Sequence, residues 1–487
     1  MLVRCEDGAA AYRPGDVVPV ASEGRDVVVM SDLHLGEGAA RDHTYASREK
    51  FFADDSFARL LTHLRTGGGR HLLVLNGDVV DFLRVGARPL GDRERNEWAS
   101  HLQRIGVRFD ERDLTSLTLL ERHYGFGTSE PKSVWKLLDV IRGHEHFFDA
   151  LADWLAGGND VVVTKGNHDL EWFWRGVRDT LRVKLADSLA RRTGQATEAV
   201  LERVVLPRIR FVDHALLVDG TFYIEHGHQY DPFSRVVGPA LLPGDRELNL
   251  PMGSFFNRYI LNKVELSYPF TDNIRPRQNV LPMLVRDHFP SAVKLLAYHL
   301  PAFLVTVPKG RVLGIYWRPL VLGLAIALPF CVVAFSASHE ISAIVEQLQQ
   351  PSHAGVLDSL LGSLAKSTAL LVASYALARL TAYFQIEEPD SLWTDARALM
   401  GKEPAYRQVT LGHTHNPEQR DHEGRWFFNT GTWVPIIETD SAQVREDRTY
   451  TYLHVPSDDG RLATGRLLRW NDDAGRSEPA LIVRRQT

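Results

Sequence analysis

This chain of 487 residues contains little cysteine and carries little net charge. Only Cys5 and Cys331 occur, which are too few for a disulfide framework or a thiolate zinc site. Lys and Arg number 56 against 61 Asp and Glu, so the net charge of −5 provides no basic field for nucleic acid. The first residues lack an apolar run behind a positive start, so we expect no secretory signal and a cytoplasmic catalytic part.

Short apolar runs without alternation predict buried strands that are covered on both faces, as in layered α/β folds. The runs are Val27–Met30, Leu72–Leu75, Val161–Val163, Ala215–Ile224, Gln408–Leu411 and Trp426–Phe428. Apolar residues at helical spacing predict a helix over 133–155. His144 and His146 flank Glu145 near a predicted helix end, and we expect both to be solvated.

Polar clusters follow these runs. They are Asp32-Leu33-His34, Gly77 to Asp81, Gly166 to Asp169, His226-Gly227-His228 and Gly412 to His415. In an open α/β sheet, ligand groups gather at the carboxyl ends of the strands. Each cluster alone is typical of an ordinary turn or helix cap, but five in order predict a single site.

The candidate ligands in these clusters are carboxylate, imidazole and carboxamide groups without sulfur: Asp32, His34, Asp78, Asn167, His226, His413 and His415. This set suits Mn, Fe or Zn better than Cu(I) or an iron–sulfur cluster. A catalytic zinc takes three protein ligands, so the larger set predicts two ions, about 3.5–4 Å apart, that share a carboxylate.

The motifs D-x-H, G-D-x-x-D, G-N-H-[DE], H-G and G-H-x-H, in this order, resemble those of the calcineurin-like metallophosphoesterase superfamily. The resemblance covers residues 1–230 and 405–435. It implies a four-layer α/β/β/α sandwich with a helical, hydrophobic insertion. It also implies hydrolysis of phosphoester or pyrophosphate bonds, with a hydroxide that bridges two divalent ions as the nucleophile. Mn is the first choice of metal, with Fe or Zn as alternatives.

The resemblance also assigns roles to the residues of the motifs. One ion would be held by Asp32, His34, Asp78 and His415, and the other by Asp78, Asn167, His226 and His413, so that Asp78 is the bridge. His168 would protonate the leaving group or bind phosphate, and Asp81 would orient it. For Asp81, a helix-capping role is the alternative. Arg41 and His43 lie in the loop after His34 and could touch the substrate phosphate.

Within the superfamily, the chain looks most like the branch with the UDP-2,3-diacylglucosamine pyrophosphatases, which have a helical cap at the place of residues 170–206. Those enzymes act on membrane-embedded lipid phosphates, so we expect a lipid-linked or membrane-proximal substrate and no nucleic acid. They typically have arginine where this chain has His168. A phosphoprotein phosphatase is an alternative, weakened by Phe82 where those enzymes carry arginine. A nuclease and a non-catalytic metal-binding scaffold are further alternatives.

A hydrophobic region lies between His226 and His413. Residues 319–338 carry no charge, and a helix of that length spans about 30 Å, the thickness of a bilayer core. Residues 367–384 are apolar apart from Arg379. Because both flanks must meet at one site, a single crossing is excluded, and the second segment has to return the chain.

The charges around these segments indicate the orientation. Residues 272–318 contain seven Lys or Arg against two Asp, whereas residues 339–359 contain three acidic residues and no Lys or Arg. The catalytic domain should therefore face the cytoplasm from the cell membrane. A hairpin within one leaflet and a soluble cytoplasmic protein are the alternatives. We expect a catalytic domain over 1–272 and 386–487, split by a helical insertion over 273–385.

Overall fold

The computed structural model describes residues 17–40, 42, 44–244, 246–266, 273–275, 286–294, 391–438, 443–444 and 446–482, with a few single positions between 283 and 306. The chain divides into two compact units, Met1–Leu295 with Glu388–Thr487, and Leu296–Glu387. The predicted insertion and both hydrophobic segments fall on, or largely on, residues outside the described ones, so these interpretations and the domain boundaries stay predictions.

The strands are short. In chain order they are β1 Val17–Val20, β2 Asp26–Met30, β3 His71–Asn76, β4 Asp160–Thr164, β5 Ile209–Val212, β6 Ala215–Val218, β7 Phe222–Glu225, β8 Ile274–Arg275, β9 Gln408–Leu411, β10 Glu418–His422, β11 Arg425–Asn429, β12 Ile437–Glu438, β13 Gln443–Val444, β14 Thr451–Val455, β15 Ser457–Asp458, β16 Arg461–Leu462, β17 Arg466–Asn471 and β18 Arg476–Pro479. Strands β2, β3, β4 and β6 are rich in Val and Leu, which suit a pleated, buried surface.

The α-helices of the described residues lie mainly between β2 and β5. They are α1 Asp54–Thr66, α2 Asp92–Ile105, α3 Glu111–Thr115, α4 Leu119–Tyr124, α5 Glu130–Gly143, α6 Glu145–Ala156, α7 Arg175–Thr193, α8 Thr197–Val200, α9 Met252–Phe256, α10 Asn262–Val264, α11 Phe289–Lys294 and α12 Trp393–Lys402. No helix in the described part of the chain is long and apolar enough to cross a bilayer.

Two large sheets organise the described residues. The first sheet has the order β18-β17-β14-β2-β3-β4-β5, and its strands β2 to β5 are parallel. The second sheet has the order β1-β6-β7-β9-β11-β10 and mixes parallel and antiparallel pairs. The small sheets β13-β12-β8 and β15-β16 complete the set. The expected α/β class is thus confirmed, as a mixed α/β fold with parallel and antiparallel sheets.

The two large sheets pack on each other through their apolar faces. Val27, Val29 and Val74 of the first sheet share one buried cluster with Ile224 and Phe428 of the second. Burial of this apolar surface, at about 25 cal/mol per Å², is the main stabilising contribution of the contact between the sheets. Because each strand alternates its side chains, the remaining apolar residues point to the opposite faces of the two sheets.

Helices cover those opposite faces. Val28 and Leu73 of the first sheet pack with Phe57 of α1 and Leu185 of α7. On the second sheet, Val409 and Phe427 pack with Ala396 and Met400 of α12. The prediction of strands that are buried on both faces is therefore confirmed.

Two sequence predictions of single elements are wrong. The run Ala215–Ile224 is an antiparallel hairpin, β6 and β7, because Asp219 and Gly220 take positive φ and turn the chain. The predicted helix over 133–155 is two helices, α5 and α6, which meet at His144.

The break between α5 and α6 has a physical reason in the segment that follows His34. Ala39 donates its amide hydrogen to the Gly143 carbonyl at 3.0 Å, and a Cβ at Gly143 would collide with the Glu37 carbonyl. His144 is 1% exposed, so the expectation that it is solvated is wrong. Its Nδ1 lies 3.0 Å from Asp54 Oδ1 and its Nε2 lies 3.4 Å from Glu49 Oε2. His146, in contrast, is exposed as expected.

Candidate metal centre

Loops at the carboxyl ends of both large sheets meet at one place. The loop after β2 lies along the loop after β3, because Asp32 N donates to Gly77 O at 3.2 Å and His34 N donates to Asp78 O at 2.9 Å. The loop after β9 joins them, since His413 N donates to Asp32 Oδ2 at 3.1 Å. These contacts bring residues 381 positions apart in the sequence into one buried site.

The backbone of this site is unusual. Positive φ angles occur at five of the predicted metal ligands: Asp32, His34, Asp78, His413 and His415. A left-handed conformation costs a non-glycine residue about 1–2 kcal/mol. Such residues persist only where the surrounding structure fixes them, and they cluster at functional sites.

Two groups that consist only of predicted metal ligands could each hold a metal ion. The Asp32 group consists of Asp32, His34 and His415, and the Asp78 group consists of Asp78, His226 and His413. Within each group, one candidate ligand atom from every residue lies within 4.8 Å of the others, and every member is buried. In the first group, His415 Nε2 is 3.3 Å from Asp32 Oδ1 and 3.1 Å from His34 Nε2.

Asp78 lies between the two groups. Its Oδ2 is 3.3 Å from His226 Nε2 and 3.9 Å from His34 Nε2. Its Oδ1 accepts a hydrogen bond of 2.8 Å from the backbone amide of His168. The carboxylate is therefore fixed in orientation and has one oxygen near imidazoles of both groups.

Several buried polar atoms of this site lack a hydrogen-bond partner among the described residues. They include Asn167 Oδ1, and also Asp32 Oδ1 and His226 Nε2, whose neighbours at 3.3 Å lack hydrogen-bond geometry. A buried polar atom without a partner costs about 1–3 kcal/mol, so such atoms call for a ligand. All three are atoms of predicted metal ligands, and oxygen and imidazole nitrogen are donors that divalent metals accept. The residues present thus fit a metal centre.

The electrostatics of the site lead to the same conclusion. Burial raises the pKa of the Asp78 carboxyl, but His226 and His168 outweigh burial and hold that pKa well below its usual range. Burial lowers the pKa of His226, whereas Asp78 and Asp32 raise it and prevail. The buried carboxylates therefore favour positive charge beside them, and a divalent cation would supply it.

Glycines at the site allow the close approach of these groups. A Cβ at Gly77, whose φ is +76°, would lie 2.6 Å from the ring of His226, and a Cβ at Gly166 would collide with Asp78 Oδ1. Any side chain at either position would displace a predicted ligand.

His168 and Asp81 lie beside the Asp32 group. His168 Nδ1 is 3.1 Å from Asp81 Oδ2, and the side chain of His168 is 13% exposed, whereas that of Asp81 is fully buried. Burial lowers the pKa of His168, but Asp81 and Asp78 raise it above its usual value. Asp81 Oδ2 also lies 3.5 Å from His34 Nδ1 and accepts a hydrogen bond of 2.7 Å from Arg84 Nε.

Several residues around the site were missed in the sequence. Asp231 Oδ2 lies 3.0 Å from His413 Nε2, and Asn273 Oδ1 lies 3.1 Å from His415 Nδ1. Asp169 accepts hydrogen bonds from the amides of Gly166 and Val79 and so ties two loops together. Asp169 stands in a motif and could have been assigned this role. Asp231 and Asn273 belong to no spacing pattern that would reveal them.

Arg41 and His43, the predicted substrate contacts, lie outside the described residues. Six of the seven predicted ligands lie in the Asp32 and Asp78 groups, and Asn167 precedes His168, whose amide donates to Asp78 Oδ1. The seven predicted ligands are 0–7% exposed, with Asn167 at 5%, and His168 and Asp81 adjoin the Asp32 group.

No protein-family model matches the chain, and no curated protein is significantly similar to it.

Proposed function

We propose that this protein is a dinuclear-metal-dependent hydrolase of phosphoester or pyrophosphate bonds, similar to the calcineurin-like metallophosphoesterases. The observation that carries the proposal is the position of Asp78, whose Oδ2 lies 3.3 Å from His226 Nε2 of one group and 3.9 Å from His34 Nε2 of the other. A carboxylate between two ligand groups is what a pair of metal ions in a hydrolase requires.

The fold supports this proposal. The order of layers is helices, first sheet, second sheet and α12, as the three buried clusters indicate. We propose that this is the four-layer α/β/β/α sandwich expected from the motifs, with the metal centre at the carboxyl ends of the strands of both sheets.

One ion would be held by the Asp32 group with Asp78, and the other by the Asp78 group with Asn167. Two divalent ions, Mn in first place and Fe or Zn as alternatives, would supply Lewis-acid activation of water and neutralise phosphate oxygens. Asp231 and Asn273 orient the imidazoles of His413 and His415 by contacting the ring nitrogen, which fixes the rings for ligation.

His168 is the proposed proton donor to the leaving oxygen. Asp81 lies against its Nδ1 and so leaves Nε2 as the nitrogen that can face the substrate. Arg84 donates to the same oxygen of Asp81. Burial raises the pKa of the Asp81 carboxyl, but His168 and Arg84 outweigh burial and hold that pKa well below its usual range. A phosphate bound next to the ions would meet the His168 imidazole at the partly exposed side of the site.

The proposals for the substrate and for the location of the protein rest on the sequence alone. We propose a lipid-linked or membrane-proximal phosphorylated substrate, and a protein anchored in the cell membrane by residues 319–338 and 367–384 with its metal centre on the cytoplasmic side. Fractionation tests the anchoring, and protein that stays in the supernatant without detergent would contradict it.

Activity is tested with the full chain, purified and loaded with Mn. The panel contains bis-p-nitrophenyl phosphate, p-nitrophenyl phosphate, a phosphopeptide, a single-stranded oligonucleotide and a nucleotide-sugar lipid. We expect hydrolysis of at least one, and in His168→Ala, with its metal content retained, a strong loss of turnover on the substrates without a nitrophenyl leaving group. Absence of turnover on all five substrates, with two ions bound per chain, would favour the metal-binding scaffold instead.

A further inference from the structure

A further group of two histidines and one aspartate lies at the opposite end of the first sheet. One candidate ligand atom each of Asp26, His71 and His454 lies within 4.8 Å of the others. We call these residues the strand cluster. Asp26 and His71 begin β2 and β3, whereas the metal centre follows the ends of these strands. Six residues at about 3.3 Å each separate Asp26 from Asp32, so the two sites are about 20 Å apart.

The register of the sheet places the three side chains on one face. Asp26 pairs with His71 across β2 and β3, and His454 of β14 pairs with Val28, two positions from Asp26 on the same face. Residues of alternating position share a face, so the strand cluster extends the helix-covered face that carries Val28, Leu73 and Tyr452. Three adjacent strands thus present their polar groups at one point.

The contacts within the strand cluster leave a nitrogen and an oxygen atom that could bind a cation. His454 Nε2 is 2.9 Å from Asp26 Oδ2, and Ser457 N donates to Asp26 Oδ1 at 2.8 Å, which fixes the carboxylate. His71 is 4% exposed, and its Nδ1 is buried without a hydrogen-bond partner among the described residues. The hydroxyl oxygen of Ser457 is a second buried atom without a partner in the same part of the structure.

Burial and access suit a bound ion. The side chains of Asp26 and His454 are 31% and 25% exposed, so an ion can enter from solvent. His71 is the most buried residue of the strand cluster. Its backbone amide donates a hydrogen bond to Asn159 Oδ1, and its ring lies 5.5 Å from the ring of Trp154.

We propose that Asp26, His71 and His454 form a zinc site that is separate from the metal centre. Two imidazoles and a carboxylate favour Zn(II), Co(II) or Ni(II) over Mg or Ca, which prefer all-oxygen sites. Atoms that share a tetrahedral zinc at about 2.1 Å stand about 3.4 Å apart, so the 2.9 Å between His454 and Asp26 needs only a small shift. Three protein ligands leave a fourth position for water.

Zinc content distinguishes this site from the metal centre. The full chain carrying Asp78→Ala, in which the proposed bridge of the metal centre is removed, is stripped with a chelator and titrated with Zn(II), and bound zinc is measured by elemental analysis. We expect one zinc per chain at the strand cluster. Adding His454→Ala should weaken this binding by at least about 100-fold, since even residues that only orient a ligand cost 10–100-fold.

The matched control is His422→Ala, a partly exposed histidine on β10 of the second sheet that packs against Trp393. It should bind zinc as the Asp78→Ala parent does. Asp26→Asn, which keeps the shape of the side chain, guards against a folding defect and should weaken zinc binding in the same way. If Asp78→Ala still holds ions at the metal centre, His454→Ala should nevertheless contain one zinc fewer than the control.

A second measurement reports from the strand cluster itself. Co(II) bound there should quench the fluorescence of Trp154, and the quench should disappear in both Trp154→Phe and His454→Ala. Equal zinc content and affinity in His454→Ala and His422→Ala would overturn the proposal.

Discussion

At the carboxyl ends of β2 and β3, Asp32, His34 and Asp78 have left-handed backbone, whereas Asp26, His71 and His454 at the other end belong to strands. Regular strands can offer one side chain per strand at a given level, so the strand cluster has three candidate ligands. The loops of the metal centre are not subject to this limit. They bring residues of both sheets together and place one carboxylate between two groups of ligands.

The strand cluster and the metal centre also differ in the backbone conformation that they require. Strand residues keep their ladder hydrogen bonds and need no special backbone. The loop residues of the metal centre need positive φ, glycines without side chains at Gly77 and Gly166, and anchoring by Asp169. The proposed chemistry would require this arrangement, because it brings His168 and the ligands for a second ion into one site.

The largest expected effect concerns the shared carboxylate, which only the metal centre possesses. Asp78→Ala should lose both ions and reduce phosphoesterase activity by at least about 10³-fold, because its carboxylate serves both groups. His34→Ala should mainly weaken one ion. Elemental analysis of Mn measures this difference, and two ions retained in Asp78→Ala would exclude a bridging role. Asp26→Ala should leave the Mn content of the metal centre unchanged.

The next effect tests whether His168 performs chemistry. His168→Asn should lower kcat by about 10²-fold on alkyl phosphoesters and much less on nitrophenyl esters, whose leaving groups need no proton. KM should change little, and the Mn content should stay the same. Steady-state kinetics on matched alkyl and nitrophenyl diesters give the comparison. An equal loss on both would show that His168 binds phosphate without protonating the leaving group.

A smaller effect tests the crowded backbone of the metal centre. Gly166→Ala places a Cβ against Asp78 Oδ1, and the resulting displacement should lower activity by roughly 10–100-fold and weaken Mn binding. Gly401→Ala is the control, because a Cβ there meets no atom within 4 Å and Gly401 lies in α12, where alanine is favoured. Isothermal titration with Mn and the rate on a nitrophenyl ester are the measurements. Wild-type Mn affinity in Gly166→Ala would show that Asp78 is not held against this glycine.

The sequence predicts the metal centre better than it predicts the rest of the molecule, for a physical reason. A run such as Val27–Met30 must be buried, and the polar residues directly after it must lie at the edge of a sheet. Those local facts locate Asp32, His34 and Asp78. They do not locate Asp231 or Asn273, because their partners are determined by loops with no repeating pattern.

The strand cluster and His144 are beyond such local reasoning as well. Asp26, His71 and His454 occupy ordinary polar positions at strand ends, and only the register of three strands brings them together. His144 follows a glycine in a helical pattern, which is typical of a solvated helix end. Its burial depends on Asp54 and Glu49, some 90 residues earlier in the chain.

The smallest expected effect on activity concerns how the loops of the metal centre are held. Glu49 accepts hydrogen bonds from the amides of Gly36 and Gly38, directly after His34, and His144 lies between Glu49 and Asp54. Burial lowers the pKa of His144, but the hydrogen bonds to Asp54 and Glu49 outweigh burial and raise it to about 9.

The sign of the pH dependence follows from that pKa. Because the folded protein binds the proton more tightly than the unfolded chain, whose histidine titrates near 6.5, the stabilisation is complete below about pH 6.5 and is lost as the pH rises to about 9. The pKa difference corresponds to about 3 kcal/mol. His144→Gln should therefore destabilise the protein by about 3 kcal/mol more at pH 6 than at pH 9.5, as measured by urea unfolding at both values. His146→Gln, two residues along the chain and largely exposed, should show no such difference, since exposed ion pairs contribute little. An equal loss of stability at both pH values would mean that His144 holds the loop by packing alone, without its charge.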